Sequence, residues 1–203
     1  QALGGGLSIN GHEETGPAHI PFHLGDTAGG LYAAIAILAA VQEAQKTGFG
    51  RAYEVSMLDS QIHLSGDEVT FSGLDGWLSR PHGSGHPALA PYAVFQTADK
   101  PIVIAAVGAE KFWLNFISVL GISHLSEDVR FIDNSKRSMH IEELTNIIHK
   151  KLKVKRRDFW LKELGKADVP VAPILTVDEV INSEHVVSQN QIDFIEIGGE
   201  KLA

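Results

Sequence analysis

The stretch Gly25-Asp26-Thr27-Ala28-Gly29-Gly30 runs directly into the apolar segment 31–41, and together they predict a long helix over about residues 27–46. Asp26, at the start of this helix, has two interpretations. Its position alone favours an N-cap, because the Asp side chain accepts a backbone N–H of the first helical turn. Gly29 and Gly30 favour the second interpretation, a reactive carboxylate at the end of a buried helix. Each weakens the helix start by up to about 1 kcal/mol relative to Ala, and both allow another molecule to approach the backbone closely.

Composition limits the classes of protein that the chain can belong to. Its 203 residues, 44% hydrophobic and 21% charged, are ordinary for a globular protein of one large or two small domains. A net charge of −8 argues against nucleic acid or an anionic membrane surface as the main partner. The sequence contains no cysteine, which excludes disulfides, thiolate metal sites and a cysteine nucleophile. This fits a reducing compartment: the cytoplasm, or the mitochondrial or peroxisomal matrix in a eukaryote.

The ends and the longest apolar run give two further expectations. The chain begins at Gln1 without an initiator Met or the layout of a signal peptide, so we expect it to start inside a longer polypeptide. Residues 28–41 form an apolar run of 14 residues, shorter than the ~20 needed to cross a bilayer. The run therefore predicts a buried helix and no membrane span.

Periodicity predicts the remaining elements. Strands are predicted at 51–57, 169–174 and 192–197, together with a β-hairpin formed by 92–96 and 101–107. Helices are predicted at 58–71, 110–120, 141–152, 159–164 and 178–189. Between them, residues 72–91 are rich in Gly, Pro, Ser and His, and a loop of this length is often functional.

The histidines do not form a recognisable metal motif. His12, His19 and His23 precede the first helix, but no carboxylate completes a ligand spacing with them. His82 and His86 are four residues apart, but they lie outside any predicted helix. We therefore expect no metal site.

Several motifs follow one another in a definite order over nearly all of the chain, beginning with Gly25-Asp26 and Gly29 before an Ala-rich helix. The later motifs are Thr47-Gly48-Phe49-Gly50-Arg51-Ala52-Tyr53-Glu54-Val55-Ser56-Met57, His86-Pro87, Pro91-Tyr92, Phe95, Asp99, the strand 102–106, Asp128-Val129-Arg130-Phe131, Arg137 and Pro170-Val171-Ala172-Pro173-Ile174. This order resembles family III CoA-transferases, the group that includes formyl-CoA transferase, carnitine CoA-transferase and alpha-methylacyl-CoA racemase. Members of this family are about twice as long as this chain, so the resemblance implies the middle and later part of a subunit.

The resemblance implies an α/β fold made of part of a Rossmann-like large domain and a smaller α+β domain. Residues 1–62 would belong to the large domain, 63–169 would form the small domain, and 170–203 would return to the large one. The family also implies a homodimer whose two subunits interlock like links.

The resemblance also implies the chemistry. Asp26 would be the catalytic aspartate of a transferase that moves CoA from an acyl-CoA to a carboxylic acid through aspartyl anhydride and aspartyl-CoA thioester intermediates. Coenzyme A would be a substrate and not a permanently bound cofactor. Gly29 and Gly30 would let thioester and backbone meet, and Gly83 and Gly85 are candidates for a glycine-rich loop over the aspartate.

Two alternatives remain open. In an alpha-methylacyl-CoA racemase of the same family, Asp26 would belong to an acid/base pair that exchanges the α-proton. Racemases carry a glutamate near the small-domain strand, but Glu110 is offset from it by a residue or two, which favours the transferase. From another class, the chain would be a non-catalytic oligomerisation or binding module, because its residues alone do not define a CoA pocket.

Overall fold

A computed structural model describes residues 1–74, 80–198 and 200–202. The chain divides into two compact units, Gln1–Ser84 and Gly85–Ala203. The predicted boundaries at 62 and 169 do not coincide with this division, and the predicted assignment to domains of the whole protein stays a prediction. Residues 75–79 of the predicted loop 72–91 lie outside the described residues.

The first unit is mainly helical. Its helices are α1 (Gly6–Ile9), α2 (Leu24–Thr47), α3 (Met57–Leu64) and α4 (Gly66–Phe71), and its two short strands are β1 (Gly11–His12) and β2 (Gly16–Pro17). β1 and β2 pair antiparallel, with His12 opposite Gly16. The predicted helix 58–71 is thus two helices, separated at Ser65.

The long helix α2 starts earlier than predicted and ends as predicted. It begins at Leu24, after His23 as the N-cap residue. At its C-terminus Gly48 adopts a left-handed conformation with φ 77°, and its N–H donates to the carbonyl of Ala44 at 2.8 Å. A glycine at this position ends a helix without the steric cost that a Cβ atom would add.

The prediction that α2 is a buried helix is wrong for this chain. Only Ala28 and Gly29 are buried within it, while Leu31 is 63% and Leu38 68% exposed. The reason is that α2 packs against α3 through a face of small residues, and the described residues leave most of its other faces open.

By length and composition α2 also qualifies as a membrane-crossing helix, with a mean hydropathy of 1.6 over its most apolar window. The length argument against a span therefore does not hold. A single such helix is weak evidence for a span, since the core helix of a soluble protein meets the same criteria. The absence of a membrane span stays a prediction.

The predicted strand at 51–57 is wrong. The described residues 51–56 form no ladder, and Met57 already belongs to α3. Polar side chains hold this segment against α2 instead, because Arg51 forms an ion pair with Glu43 at 2.9 Å and the Tyr53 hydroxyl donates to the same carboxylate. This hydrogen bond is the main cause of a raised pKa at Tyr53.

The second unit combines a three-stranded sheet with helices. Its strands are β3 (Tyr92–Phe95), β4 (Ile102–Ala105), β5 (Val171–Pro173), β6 (Ile195–Ile197) and β7 (Glu200–Leu202). Its helices are α5 (Glu110–Val119), α6 (Asn134–Met139), α7 (Ile141–Leu152), α8 (Arg157–Lys166), α9 (Val177–Ile181) and α10 (Glu184–Ser188), with a 3-10 helix at Ser123–Ser126. The sheet is antiparallel in the order β3-β4-β5, and β6 pairs with β7.

One face of this sheet forms the core with the helices. Phe95, Ile102 and Ile104 are fully buried, and alternate residues of β4 are only half-buried, the pattern of a sheet with one covered face. The helices contribute Trp113, Phe116, Ile117, Leu144, Ile148, Leu152, Trp160 and Leu164. The predicted hairpin and the helices at 110–120 and 141–152 are confirmed, the predicted helix 178–189 is two short helices, and the mixed α/β class is confirmed.

Candidate active site

Asp26 is the third residue of α2 and does not cap it. The N-cap residue is His23, whose carbonyl accepts the N–H of Thr27 at 2.9 Å. The Asp26 side chain is exposed and makes no hydrogen bond to the described residues. The interpretation of Asp26 as an N-cap is therefore wrong, and its carboxylate lies in the first turn, where the helix dipole favours negative charge.

Two glutamine side chains fix the start of α2. The Gln1 amide bonds the segment before the helix: it accepts the N–H of Ile20 at 3.0 Å and donates to the carbonyls of Ile20 and Phe22. The Gln61 amide of α3 lies against Gly25, where an added Cβ would come within 2.8 Å of Nε2. No sequence motif signals either glutamine, because both contacts join residues far apart in the chain.

The glycines beside Asp26 have different environments. Gly29 faces α3, and a Cβ there would lie 3.2 Å from Cγ of Met57. Gly30 is exposed, with no atom within 4 Å of an added Cβ. Since Gly30 follows Asp26 by four residues, the two share one face of the helix. Gly29 therefore allows the helices to pack closely, and Gly30 leaves the surface next to the carboxylate open.

The two glycines of the predicted loop lie in different units. Gly83 adopts a φ of 62°, donates its N–H to the carbonyl of Gly11 at 2.7 Å, and would bring a Cβ within 2.6 Å of the His12 ring. Gly83 thus needs to be glycine to hold the loop against β1. Gly85 begins the second unit. The role of either glycine over Asp26 stays a prediction.

Two pockets of the first unit do not include Asp26. One, of about 340 Å³, is lined by Tyr32, Glu54, Val55, Ser56, Asp59, Ser60 and His63. The other, of about 600 Å³, is lined by Gly6, Ile9, Asn10, Ile20, Leu24, Leu64, Ser65, Asp67 and Glu68. The carboxylate therefore lies on an open surface outside both.

No group of three or more His, Asp or Glu side chains within residues 1–74, 80–198 and 200–202 is arranged to hold a metal ion. The His12 ring, part of the histidine set considered from the sequence, lies close to Gly83. Glu110, the residue compared with the racemase glutamate, belongs to the second unit and forms an ion pair with Arg137.

Comparison with known proteins gives a consistent result. The sequence profile described as CoA-transferase family III matches residues 1–199. An acetyl-CoA:oxalate CoA-transferase of Acetobacter aceti is 30% identical over 200 residues, which are 98% of this chain and 51% of the relative. A succinate–glutarate CoA-transferase of Agrobacterium fabrum is 29% identical over 187 residues, 92% of this chain and 46% of the relative.

Solved structures agree with these sequence matches. A CAIB/BAIF family protein from Brucella suis superimposes with a TM-score of 0.81 at 28% identity, covering 99% of this chain and 52% of the other. Rv3272 from M. tuberculosis superimposes with a TM-score of 0.81 at 25% identity, and the match covers 99% of this chain and 51% of the other. The chain spans about half the length of the curated relatives it matches. With a profile match over almost its whole length, the chain belongs to CoA-transferase family III.

Proposed function

We propose that the protein containing this chain is an acyl-CoA:carboxylate CoA-transferase with Asp26 as its nucleophile. The family and the names of the relatives support transfer of CoA to a carboxylic acid. The observation that carries the role of Asp26 is its carboxylate, which lies exposed and without a hydrogen-bond partner among the described residues. No observation favours a racemase, since the relatives named above are CoA-transferases.

The reaction proceeds in two exchanges. A carboxylate oxygen of Asp26 attacks the thioester carbon of the acyl-CoA, the carbon–sulfur bond breaks, and an acyl-aspartyl anhydride and CoA thiolate form. The thiolate attacks the aspartyl carbon, which releases the donor acid and leaves an aspartyl-CoA thioester. The acceptor carboxylate then repeats the sequence in reverse, so that a new acyl-CoA leaves and the Asp26 carboxylate is regenerated.

The first turn of α2 suits this chemistry. The amides of Gly25 and Asp26 donate to no described residue, as expected for the first turn of a helix. Such N–H groups stabilise an oxyanion that develops near them. The open surface at Gly30 leaves room for the thioester on the same face.

Coenzyme A is then a substrate, exchanged in every cycle, and the partners are an acyl-CoA and a carboxylic acid. We also propose that the protein is an interlocked homodimer, as the family resemblance implies.

The test is trapping of the aspartyl intermediate in the full-length protein. The protein is incubated with an acyl-CoA and hydroxylamine, which converts an acyl-aspartyl or aspartyl-CoA species to a hydroxamate. A mass change on the peptide that contains Asp26 supports the proposal. We expect Asp26→Asn to abolish the mass change and to lower transfer roughly 10³-fold or more, as removal of a covalent nucleophile does elsewhere.

Asp59→Asn is the matched control, because Asp59 is also exposed and also lies in the first turn of a helix in the same unit. This variant should keep wild-type transfer and trapping. Full transfer by the Asp26→Asn variant would refute the proposal. Exchange of the α-proton without any trapped species would support the racemase instead, and oligomerisation without CoA binding would support the non-catalytic module.

A further inference from the structure

A small pocket in the second unit has one buried positive charge in its wall. Its volume is about 250 Å³, and it is lined by Leu89, Val107, Gly108, Ala109, Glu110, Asn134 and Arg137. Arg137 is only 3% exposed. The Asn134 side-chain amide donates to the carbonyl of Ala88 and accepts the N–H of Ala90. The charged groups among the lining residues are therefore Arg137 and Glu110.

The Arg137 guanidinium is held in place by groups other than Glu110. Its Nε donates to the carbonyl of Ala90 and its Nη1 to the carbonyl of Phe131, both at 3.1 Å. Its Cζ lies 4.7 Å from the centre of the Trp113 ring, in a cation–π contact. The planar fork is thus oriented before any carboxylate binds, which lowers the conformational cost of binding one.

Glu110 occupies the fork in this structure through a loose bidentate pair. Its two carboxylate oxygens lie 3.2 Å from Nη1 and from Nη2, longer than the about 2.7–2.9 Å of strong charge-assisted bonds. The Glu110 side chain is 53% exposed and stands in the first turn of α5, so it can turn towards solvent without disturbing the core. The buried guanidinium then needs another anion, because an unpaired buried charge is costly.

We propose that this pocket is a carboxylate-binding site and that Glu110 occupies the place of the ligand carboxylate when the site is empty. An Arg fork matches the planar geometry of a carboxylate and binds it through two parallel hydrogen bonds. The volume is below the about 300–1,000 Å³ usual for drug-sized ligands, so the ligand is a short-chain carboxylic acid. Its identification with the acceptor acid rests on the proposed function, whereas carboxylate binding itself does not.

The experiment measures binding of succinate to the 203-residue chain by titration, followed by tryptophan emission and calorimetry. Trp113, one of three tryptophans in the chain, contacts Arg137, so a ligand on the fork should change the emission. Removal of the competing carboxylate in Glu110→Ala should lower the Kd for succinate at least tenfold. Glu110→Gln, which keeps the side-chain size, should act in the same direction and covers the case that the Ala variant does not fold.

Two variants serve as controls. Ala109→Phe fills the pocket at an exposed position and should abolish the gain when combined with Glu110→Ala. Lys111→Ala removes the next charged residue of α5, which pairs with Asp168 and does not line the pocket, and should leave the Kd unchanged.

The proposal is overturned if neither Glu110 variant binds succinate more tightly than the wild-type chain, since Glu110 is then only a structural ion pair. It is also overturned if sulfate at equal ionic strength binds the Glu110→Ala variant as tightly as succinate, or if Ala109→Phe has no effect. Because the measurement uses neither CoA nor transfer, its result does not depend on the role of Asp26.

Discussion

Substitution of Gly30 by Ala separates the conformational role of this glycine from its role beside Asp26. Gly30 lies within α2, and an added Cβ would have no atom within 4 Å. The methyl group therefore meets no steric resistance in the chain. Ala in a helix interior is more favourable than Gly by about 0.8–1.0 kcal/mol, so Gly30→Ala should stabilise α2 by about 1 kcal/mol.

Gly29→Ala is the comparison within the same turn. Its helix gain is equal, but the new Cβ would lie 3.2 Å from Cγ of Met57, so that side chain must move by a few tenths of an ångström. Met57 is 54% exposed and flexible, which makes the movement inexpensive. We expect a net stabilisation between zero and about 1 kcal/mol, smaller than at Gly30.

The assay is native-state hydrogen exchange of the amides of α2. A gain of 1 kcal/mol slows exchange through the opening of the helix about fivefold. In the full-length protein, the same Gly30→Ala change places a methyl group on the face of Asp26 and should lower CoA transfer while stability rises. Faster exchange in Gly30→Ala than in the wild type would refute the structural reasoning, because it would mean that the space beside Gly30 is not open.

Two further predictions concern the pH dependence of the second unit, measured by urea unfolding with tryptophan fluorescence. Burial, and then the charge of Lys153, lower the pKa of His149. The unfolded chain therefore binds this proton at a higher pH than the folded chain, and the free energy of unfolding should fall as the pH drops below about 6.5. His149→Leu should flatten the plot of unfolding free energy against pH in this range, and an unchanged slope would contradict the role of His149. The backbone N–H of Arg157 is the main cause of a lowered pKa at Asp99. The ionised Asp99 carboxylate should therefore stabilise the folded chain above about pH 3.8, and this stabilisation should be lost as the pH falls below that value. Asp99→Asn should remove that acid transition and lower the urea midpoint at neutral pH. The matched change Asp158→Asn, at a side chain 81% exposed, should do neither.

The second unit could largely be predicted because its elements are amphipathic. Trp113 and Phe116 in α5 are three residues apart and both buried, and Leu144 and Ile148 in α7 are four apart and both buried. The apolar strands of the hairpin flank a polar turn. In such elements the side that is buried is already determined by the local sequence. Periodicity predicts one helix over α9 and α10, because a break of two residues leaves little trace in the pattern.

The first unit could be predicted less well because its contacts are between distant residues. The start of α2 depends on the Gln1 amide, 19 residues from Ile20, and on the packing of Gln61 over Gly25. Local rules favour Asp over His as an N-cap, and they placed the start of the helix beyond Asp26. Apolar composition likewise predicted burial of α2, but whether a neighbour covers a helix is not a local property.

The corrected position of Asp26 strengthens the case for its chemistry. An N-cap carboxylate accepts a backbone N–H, and this hydrogen bond would stabilise the oxygen lone pairs that a nucleophile must use. In the first turn, Asp26 keeps the favourable dipole and avoids that bond. Asp26, Gly30, Ile37 and Val41 follow one stripe of α2, and the two apolar side chains are 61% and 48% exposed. In the proposed mechanism, water would hydrolyse the aspartyl anhydride, so transfer would require that this stripe be shielded from solvent during the reaction. An apolar surface leading away from the carboxylate is the kind that excludes water once it is covered.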